Sequence, residues 1–169
     1  MSNEPVAELR ELVIITADLA GFAKLATTLD PIALATMLDG YYREVEGLVT
    51  DAGGRVVKFI GDGTLATFER DDVVAAVACA QKLAAIDGPA HGLTASVRVH
   101  LATVAAGPFG ADGTHDIAGD GVNQAFLMGH APGVRLSEAV YYALPPADGK
   151  KWRAQRRPPI YAPAPSDDG

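Results

Sequence analysis

Two short β-rich segments, residues 55–60 and 64–69, are separated only by Gly61-Asp62-Gly63, and this arrangement restricts the fold more than any other part of the chain. Such a short glycine-containing connection predicts a β-hairpin, in which neighbouring strands run antiparallel. The turn also places one carboxylate, that of Asp62, at the tip of the hairpin.

Strand and helix patterns alternate on both sides of this hairpin. Residues 12–17 (LVIITA) form an apolar run that predicts a buried strand with Asp18 at its end. Asp30-Pro31 is typical of a helix start, because a capping carboxylate precedes proline at the first helical position. Gly53-Gly54 would end that helix. We predict further helices over 72–86, 121–129 and 137–143, and further strands over 94–105, 114–118, 133–137 and 153–161.

The order β-α-β-β-α-β predicts an α+β fold, a ferredoxin-like sandwich with added C-terminal strands and a helix. Its helices should pack on one face of a mostly antiparallel sheet. A chain of 169 residues suits one domain. We expect an N-terminal extension over 1–10, a folded domain over 11–162 and a disordered, proline-rich tail over 163–169.

The charge balance argues against two classes of partner. The chain has 14 basic and 21 acidic residues, a net charge of −7, so it should repel nucleic acids and anionic lipids. The sequence shows no signal peptide and no apolar run long enough to span a bilayer, which predicts a cytoplasmic protein. A nucleotide is still possible as a ligand, because bound divalent cations can reverse the local field.

Asp18 and Asp62 could converge if the strands that carry them pair, since neighbouring strands lie about 4.8 Å apart. Two carboxylates on a rigid sheet suit magnesium, which prefers oxygen ligands and completes its shell with water or phosphate. The residues after Asp18 carry no charge and would leave free amide groups suited to a phosphate (Leu19, Ala20, Gly21 and Phe22). Aspartate is also common in turns, so the spacing alone leaves a purely structural role open.

Several runs, taken in order, resemble the catalytic domain of class III adenylyl and guanylyl cyclases. They are residues 18–22 (DLAGF), 53–63 (GGRVVKFIGDG), 97–107 (VRVHLATVAAG), 115–125 (HDIAGDGVNQA) and 132–138 (PGVRLSE). KFIGDG followed by GDGVN is the specific part of the pattern, and the resemblance covers about residues 11–162.

The resemblance implies a role for individual residues. Asp18 and Asp62 fall on the two aspartates that bind the metals, with the backbone carbonyl of Leu19 as a further ligand. Lys58 and Asp116 fall on the pair that reads the base, and this combination resembles the adenine-selecting pattern, because an amine donor and a carboxylate acceptor complement adenine. Asn123 falls on the asparagine that orients the ribose.

The resemblance therefore implies an adenylate cyclase that converts ATP to 3′,5′-cyclic AMP and pyrophosphate with two Mg²⁺ or Mn²⁺ ions per site. It also implies a head-to-tail homodimer, because the family builds each site from both subunits.

One position departs from the family pattern. Four residues after the asparagine, where the family usually has an arginine that stabilises the transition state, this chain has Leu127. Loss of such a donor typically costs about 10²–10³ in rate. Three outcomes fit: a slow enzyme, an enzyme that recruits another cation (Arg98 or a residue of the tail), and a nucleotide-binding module without turnover. Lys150, Lys151 and Arg153 lie near the family's second phosphate-binding lysine, without a firm assignment.

Overall fold

The computed structural model describes residues 6–87, 92–155 and 159–165. Its strands are β1 Glu8–Ala20, β2 Arg55–Ile60, β3 Gly63–Glu69, β4 Thr94–Phe109, β5 Thr114–Ala118, β6 Gly133–Ser137, β7 Trp152–Ala154 and β8 Ile160–Pro163. Its α-helices are α1 Phe22–Ala26, α2 Pro31–Asp51, α3 Val73–Ala84, α4 Asp120–Phe126, α5 Glu138–Ala143 and α6 Pro146–Gly149, and a 3₁₀ turn, Arg70–Asp72, precedes α3.

The strands form one eight-stranded sheet in the order β2-β3-β1-β4-β6-β8-β7, with β5 paired to β4 outside this path. β1 lies near the centre and pairs antiparallel with both β3 and β4. The one parallel pairing among the described strands joins β4 to β6. The α+β architecture with added C-terminal strands agrees with the sequence prediction.

The two faces of the sheet are covered unequally. The larger core lies under α2 and α3 and is made of alternate residues of β1, such as Val13 and Ile15, with Tyr41 and Val45 from α2. The opposite face of β1, including Leu12 and Ile14, belongs to a smaller core that α4 covers, so the prediction that the helices pack on one face is wrong. Because successive strand residues point to opposite faces, Asp18 shares the face of Leu12 and Ile14.

Helix α4 lies very close to the strand beneath it. A Cβ atom built on Gly121 would come within 2.4 Å of the Cβ of Ala102, far inside the normal contact distance. Glycine at this position therefore allows α4 to approach β4, and this approach fixes where the rest of α4 lies.

Most predicted elements are present, with three differences in extent. β1 continues through Ala20, so Asp18 lies inside the strand rather than after it, because β4 pairs with β1 along its whole length. β4 extends to Phe109, and α4 stops at Phe126. The single strand predicted over 153–161 is wrong: residues 152–154 and 160–163 form two short antiparallel strands.

The folded part of the chain extends slightly beyond both boundaries that the sequence predicted for the domain, residues 11 and 162. β1 begins at Glu8, within the stretch expected to be an extension, and β8 ends at Pro163, the first residue of the expected tail. Residues 166–169 of that tail lie outside the described part of the chain.

Candidate functional site

Asp62 lies in the two-residue turn between β2 and β3. Ile60 pairs with Gly63 across the hairpin, and Gly61 has a φ of 59°, a conformation that glycine adopts without strain. The Asp62 carboxylate crosses to the neighbouring strand, where its Oδ2 accepts a hydrogen bond of 2.8 Å from the amide of Leu19. The turn is thereby attached to β1 directly beside Asp18.

An aromatic side chain of α2 supports the same turn. The hydroxyl of Tyr42 donates a hydrogen bond to the carbonyl oxygen of Gly61, and its ring stacks on Phe59 at a centroid distance of 4.0 Å. Its neighbour Tyr41 is buried, and this burial, with smaller effects of the Asp62 and Asp18 charges, raises the pKa of Tyr41 to about 12. Helix α2 thus sets the position of the hairpin that holds Asp62.

Asp18 is paired with a buried cation. Its Oδ2 lies 2.6 Å from a terminal nitrogen of Arg98, whose side chain is fully buried, whereas the Asp18 side chain is 29% exposed. The two residues are close neighbours on adjacent strands: in the β1–β4 register, Asp18 lies opposite Ser96, and Arg98 lies opposite Thr16. A buried arginine requires such a partner, because an unpaired charge in the interior is costly.

The remaining donors of Arg98 are also used. Its side chain donates to the carbonyl oxygen of Gly129 and to the hydroxyls of Thr16, at 3.4 Å, and Ser96, at 3.3 Å. Nδ1 of His130 lies 2.8 Å from the same guanidinium and 3.2 Å from Asp18. One ring nitrogen cannot accept from Arg98 and donate to Asp18 at once, so the assignment that satisfies the arginine leaves Nδ1 unprotonated.

Both aspartates line one small cavity of about 160 Å³, together with Ile60, Thr64, Phe126 and their neighbours. Each carboxylate has one oxygen engaged, Oδ2 in both cases, while Oδ1 makes no hydrogen bond to the described residues. The buried Thr64 hydroxyl lies beside Tyr41 and interacts with it, so the free oxygen atoms are those of the two carboxylates. The cavity thus offers free oxygen atoms to a polar occupant.

This set of donors fits a divalent metal that keeps much of its shell outside the protein. No group of three or more His, Cys, Asp or Glu side chains that could hold a metal occurs within residues 6–87, 92–155 and 159–165. Two carboxylates, with the rest of the shell from water or phosphate, are typical of magnesium sites that act on nucleotides.

Lys58 and Asp116, which sequence analysis paired, are in contact. Lys58 Nζ lies 2.6 Å from Asp116 Oδ2, with the two side chains 41% and 29% exposed. Burial would raise the pKa of Asp116, but the hydrogen bonds from Lys58 and from the amide of Ile117 outweigh it and lower that pKa. Among the described residues, neither member of this pair lines the cavity that the aspartates share.

One prediction about the segment after Asp18 is wrong: the amide of Leu19 is not free for a phosphate, because it donates to Asp62 Oδ2. Asn123 is exposed on α4, and Leu127 caps that helix with 75% of its surface exposed. Leu19 and Ala20 complete β1, and Gly21, with a φ of 86°, leads into α1 at Phe22. Lys151 forms an ion pair with Asp148, and Arg153 lies exposed on β7.

Sequence reasoning missed the partners of Asp18. Arg98 was considered only as a substitute for the missing arginine, and His130 was given no role. The alternation along β1 and β4 places Arg98 on the face of Asp18, but only the register between the two strands brings them side by side. The supporting contact of Tyr42 with Gly61 likewise depends on how α2 crosses the hairpin.

Comparison with models of protein families identifies the family of this chain. Residues 5–165 match the family model described as the adenylate and guanylate cyclase catalytic domain. The chain belongs to this family. It is a class III nucleotidyl cyclase domain, as the sequence runs suggested, whereas its preference for adenine or guanine nucleotides is not fixed by the match.

Solved structures of such domains share the fold at low sequence identity. The guanylyl cyclase Cya2 has a TM-score of 0.79 and 20% identity, covering 97% of this chain and 98% of its own. The adenylyl cyclase CyaB from P. aeruginosa has a TM-score of 0.78 and 21% identity, covering 96% and 97%. The catalytic core of a rhodopsin-guanylyl cyclase with converted specificity, in complex with ATPαS, has a TM-score of 0.82 and 19% identity, covering 98% and 100%.

The comparison with curated proteins gives no significant match. Among the described helices, none is both long and apolar enough to cross a bilayer.

Proposed function

We propose that this cyclase domain is an adenylate cyclase, which converts ATP to 3′,5′-cyclic AMP and pyrophosphate. The observation that carries the proposal is the cavity shared by Asp18 and Asp62, in which each carboxylate keeps one free oxygen. Adenine preference is supported by the Lys58–Asp116 pair, because an amine donor and a carboxylate acceptor complement the ring nitrogen and exocyclic amine of adenine.

Asp18 and Asp62 would hold two Mg²⁺ or Mn²⁺ ions, with the carbonyl oxygen of Leu19 as a further ligand. Such ions, when bound, would offset phosphate charge and favour loss of the 3′-hydroxyl proton. Arg98 reduces the net charge of the two carboxylates to −1. The positive charge of two divalent ions would therefore be balanced mainly by the substrate phosphates. The uncharged segment from Ala20 to Phe22 would offer its backbone amides to those phosphates.

A head-to-tail homodimer is part of the proposal. Within one chain, the described residues that line the aspartate cavity include neither Asn123 nor the base-reading pair. A second copy that brings Asn123, Lys58 and Asp116 over the aspartates of the first would complete a site, and the twofold relation would produce two. Asn123 is exposed on α4 and is free to orient a ribose there.

A second candidate, a nucleotide-binding module without turnover, is favoured by Leu127. Its side chain is apolar and exposed, and it cannot donate to a phosphate. Arg98 does not replace the missing donor, because its guanidinium is buried and already engaged with Asp18, Thr16, Ser96 and Gly129. We therefore expect turnover to be slow, lower by about 10²–10³ than with a preorganised arginine.

The decisive experiment offers ATP, GTP, CTP and UTP to the purified protein with manganese and identifies the products. Cyclic AMP should exceed the amount made by D62A, while D71A, which changes an aspartate that is 95% exposed, should match the wild type. L127R should raise the rate. If no cyclic nucleotide exceeds the D62A level but a non-hydrolysable ATP analogue still raises the melting temperature, the protein binds nucleotide without turnover, and the enzyme proposal is wrong.

A further inference from the structure

The two-residue turn that carries Asp62 has two backbone forms open to it. Ile60 pairs with Gly63, so Gly61 and Asp62 are its central residues. Turns of this length are usually of type I′ or II′, and both types need a positive φ at the first central residue, where Gly61 has 59°. The types differ in the sign of φ at the second residue, and hence in the orientation of the peptide group between the two. The direction of the Asp62 side chain therefore depends on where the Gly61 carbonyl points.

A side chain from outside the hairpin holds that carbonyl. The hydroxyl of Tyr42, on α2, donates a hydrogen bond to the carbonyl oxygen of Gly61. The Tyr42 ring also stacks on Phe59, two residues before Gly61, with a centroid distance of 4.0 Å and an interplanar angle of 14°. Burial, with a smaller effect of the Asp62 charge, raises the pKa of Tyr42, so the hydroxyl keeps its proton at neutral pH and acts as a donor. The stack thus holds the ring where its hydroxyl reaches the turn.

The position of the Asp62 carboxylate depends on this turn. The pairing of β1 with β3 ends at Ala17 and Thr64, so the amide of Leu19 lies beyond the last β3 partner. Asp62 Oδ2 accepts from that amide at 2.8 Å, and the same side chain lines the cavity of the candidate site. If the central peptide of the turn flipped, φ of Asp62 would change sign, and its carboxylate would leave the Leu19 amide.

We propose that Tyr42 is a positioning residue for Asp62: its hydroxyl selects the turn form in which the carboxylate reaches Leu19 and the cavity it shares with Asp18. This role needs no bound ligand. Its effect on a divalent cation rests on the proposed function, in which the two carboxylates bind the metal. Replacing Tyr42 with phenylalanine isolates the hydroxyl, because phenylalanine keeps the ring that stacks on Phe59 and has no donor.

Amide hydrogen exchange, followed by NMR on the full chain, tests the positioning. In Y42F the Leu19 amide should exchange about three- to tenfold faster, the range expected for the loss of one neutral hydrogen bond, and its resonance should move towards that of D62A, which lacks the acceptor. The amide of Ile15, where β1 pairs with both β3 and β4, should be accelerated less, because its exchange reports the opening of the whole sheet. The control Y142F, which alters an exposed tyrosine of α5, should leave Leu19 unchanged.

A Mn²⁺ titration, followed by EPR of the free ion, tests the consequence for the metal. The wild type should bind more tightly than D62A, Y42F should bind about three- to tenfold more weakly than the wild type, and Y42F should have no further effect in the D62A background. An unchanged Leu19 resonance in Y42F, equal acceleration of Leu19 and Ile15, or Mn²⁺ affinity that D62A lowers and Y42F does not, would each overturn the proposal. Mn²⁺ binding that D62A leaves unchanged would instead refute the proposed metal site, and the Leu19 amide would still decide the role of Tyr42.

Discussion

Replacing Arg98 with methionine removes the buried cation beside Asp18 while keeping a side chain of similar length. The guanidinium is fully buried and pairs with Asp18 at 2.6 Å, and it also serves the Gly129 carbonyl and two hydroxyls. Breaking a fully buried ion pair from one side typically costs 3–5 kcal/mol, because the remaining charge is left without a partner. Asp18 is 29% exposed and keeps some water, so we expect the lower end, about 3 kcal/mol.

Urea unfolding of the purified protein measures this cost. The protein concentration is held constant, because the stability of a dimer depends on concentration. For a chain of this size, about 3 kcal/mol corresponds to a fall in melting temperature of roughly 6–12 °C. The matched control is R10M, which breaks a surface ion pair to Glu69 with side chains 37% and 58% exposed and should cost less than about 1 kcal/mol.

A double-mutant cycle isolates the pair itself. D18N removes the charge that R98M would leave unpaired, so the double variant should be more stable than the sum of the single effects by about 1.5–3 kcal/mol. If R98M lies within about 1 kcal/mol of the wild type, or if the two changes simply add, then Arg98 does not stabilise the fold through Asp18 and the reasoning from burial is refuted.

Three further predictions concern other parts of the fold. G121A should lower stability by about 1–3 kcal/mol in thermal unfolding, because the new Cβ would clash with Ala102. G47A is the control: it has open space around it in α2 and should raise stability by up to about 1 kcal/mol. If G121A were the more stable of the two variants, the close packing of α4 on β4 would be contradicted. D30A should cost about 1 kcal/mol in urea unfolding, since it removes the cap that accepts from two amides at 3.0 Å, and an unchanged midpoint would exclude that role. The folded pKa of His100 lies below its value of about 6.5 in the unfolded chain, so the unfolded chain binds more protons between the two values. The free energy of unfolding should therefore fall as the pH drops below about 6.5, and less steeply in H100Q; a slope that H100Q leaves unchanged would assign the effect to other groups.

The sequence predicted correctly those helix ends and turns that are determined by residues adjacent in the chain. Asp30-Pro31 placed the start of α2 correctly, and the glycines around Asp62 placed the hairpin, because caps and tight turns are set by neighbours in sequence. The helix predicted over 137–143 is also present, and the Ser137 hydroxyl caps it by accepting from the amide of Val140. The family resemblance then supplied residue roles that spacing alone left open.

The features that sequence reasoning missed are those set by partners distant in the chain. The extension of β1 past Asp18 depends on pairing with β4, and the Asp18–Arg98 contact joins residues 80 apart in sequence. The parallel placement of β6 beside β4 has no local signature either. The sequence suggested Arg98 only as a substitute for the missing arginine, and the strand register shows that it pairs with Asp18 instead.

The contact of Tyr42 with the hairpin turn has a mechanical consequence. Because one hydrogen bond and one ring stack couple the turn to α2, a rotation of that helix by a fraction of a turn would shift the Gly61 carbonyl and move the Asp62 carboxylate relative to Asp18. The spacing of two acidic groups on the sheet would therefore respond to a displacement of a helix on its opposite face, without any contact made inside the cavity.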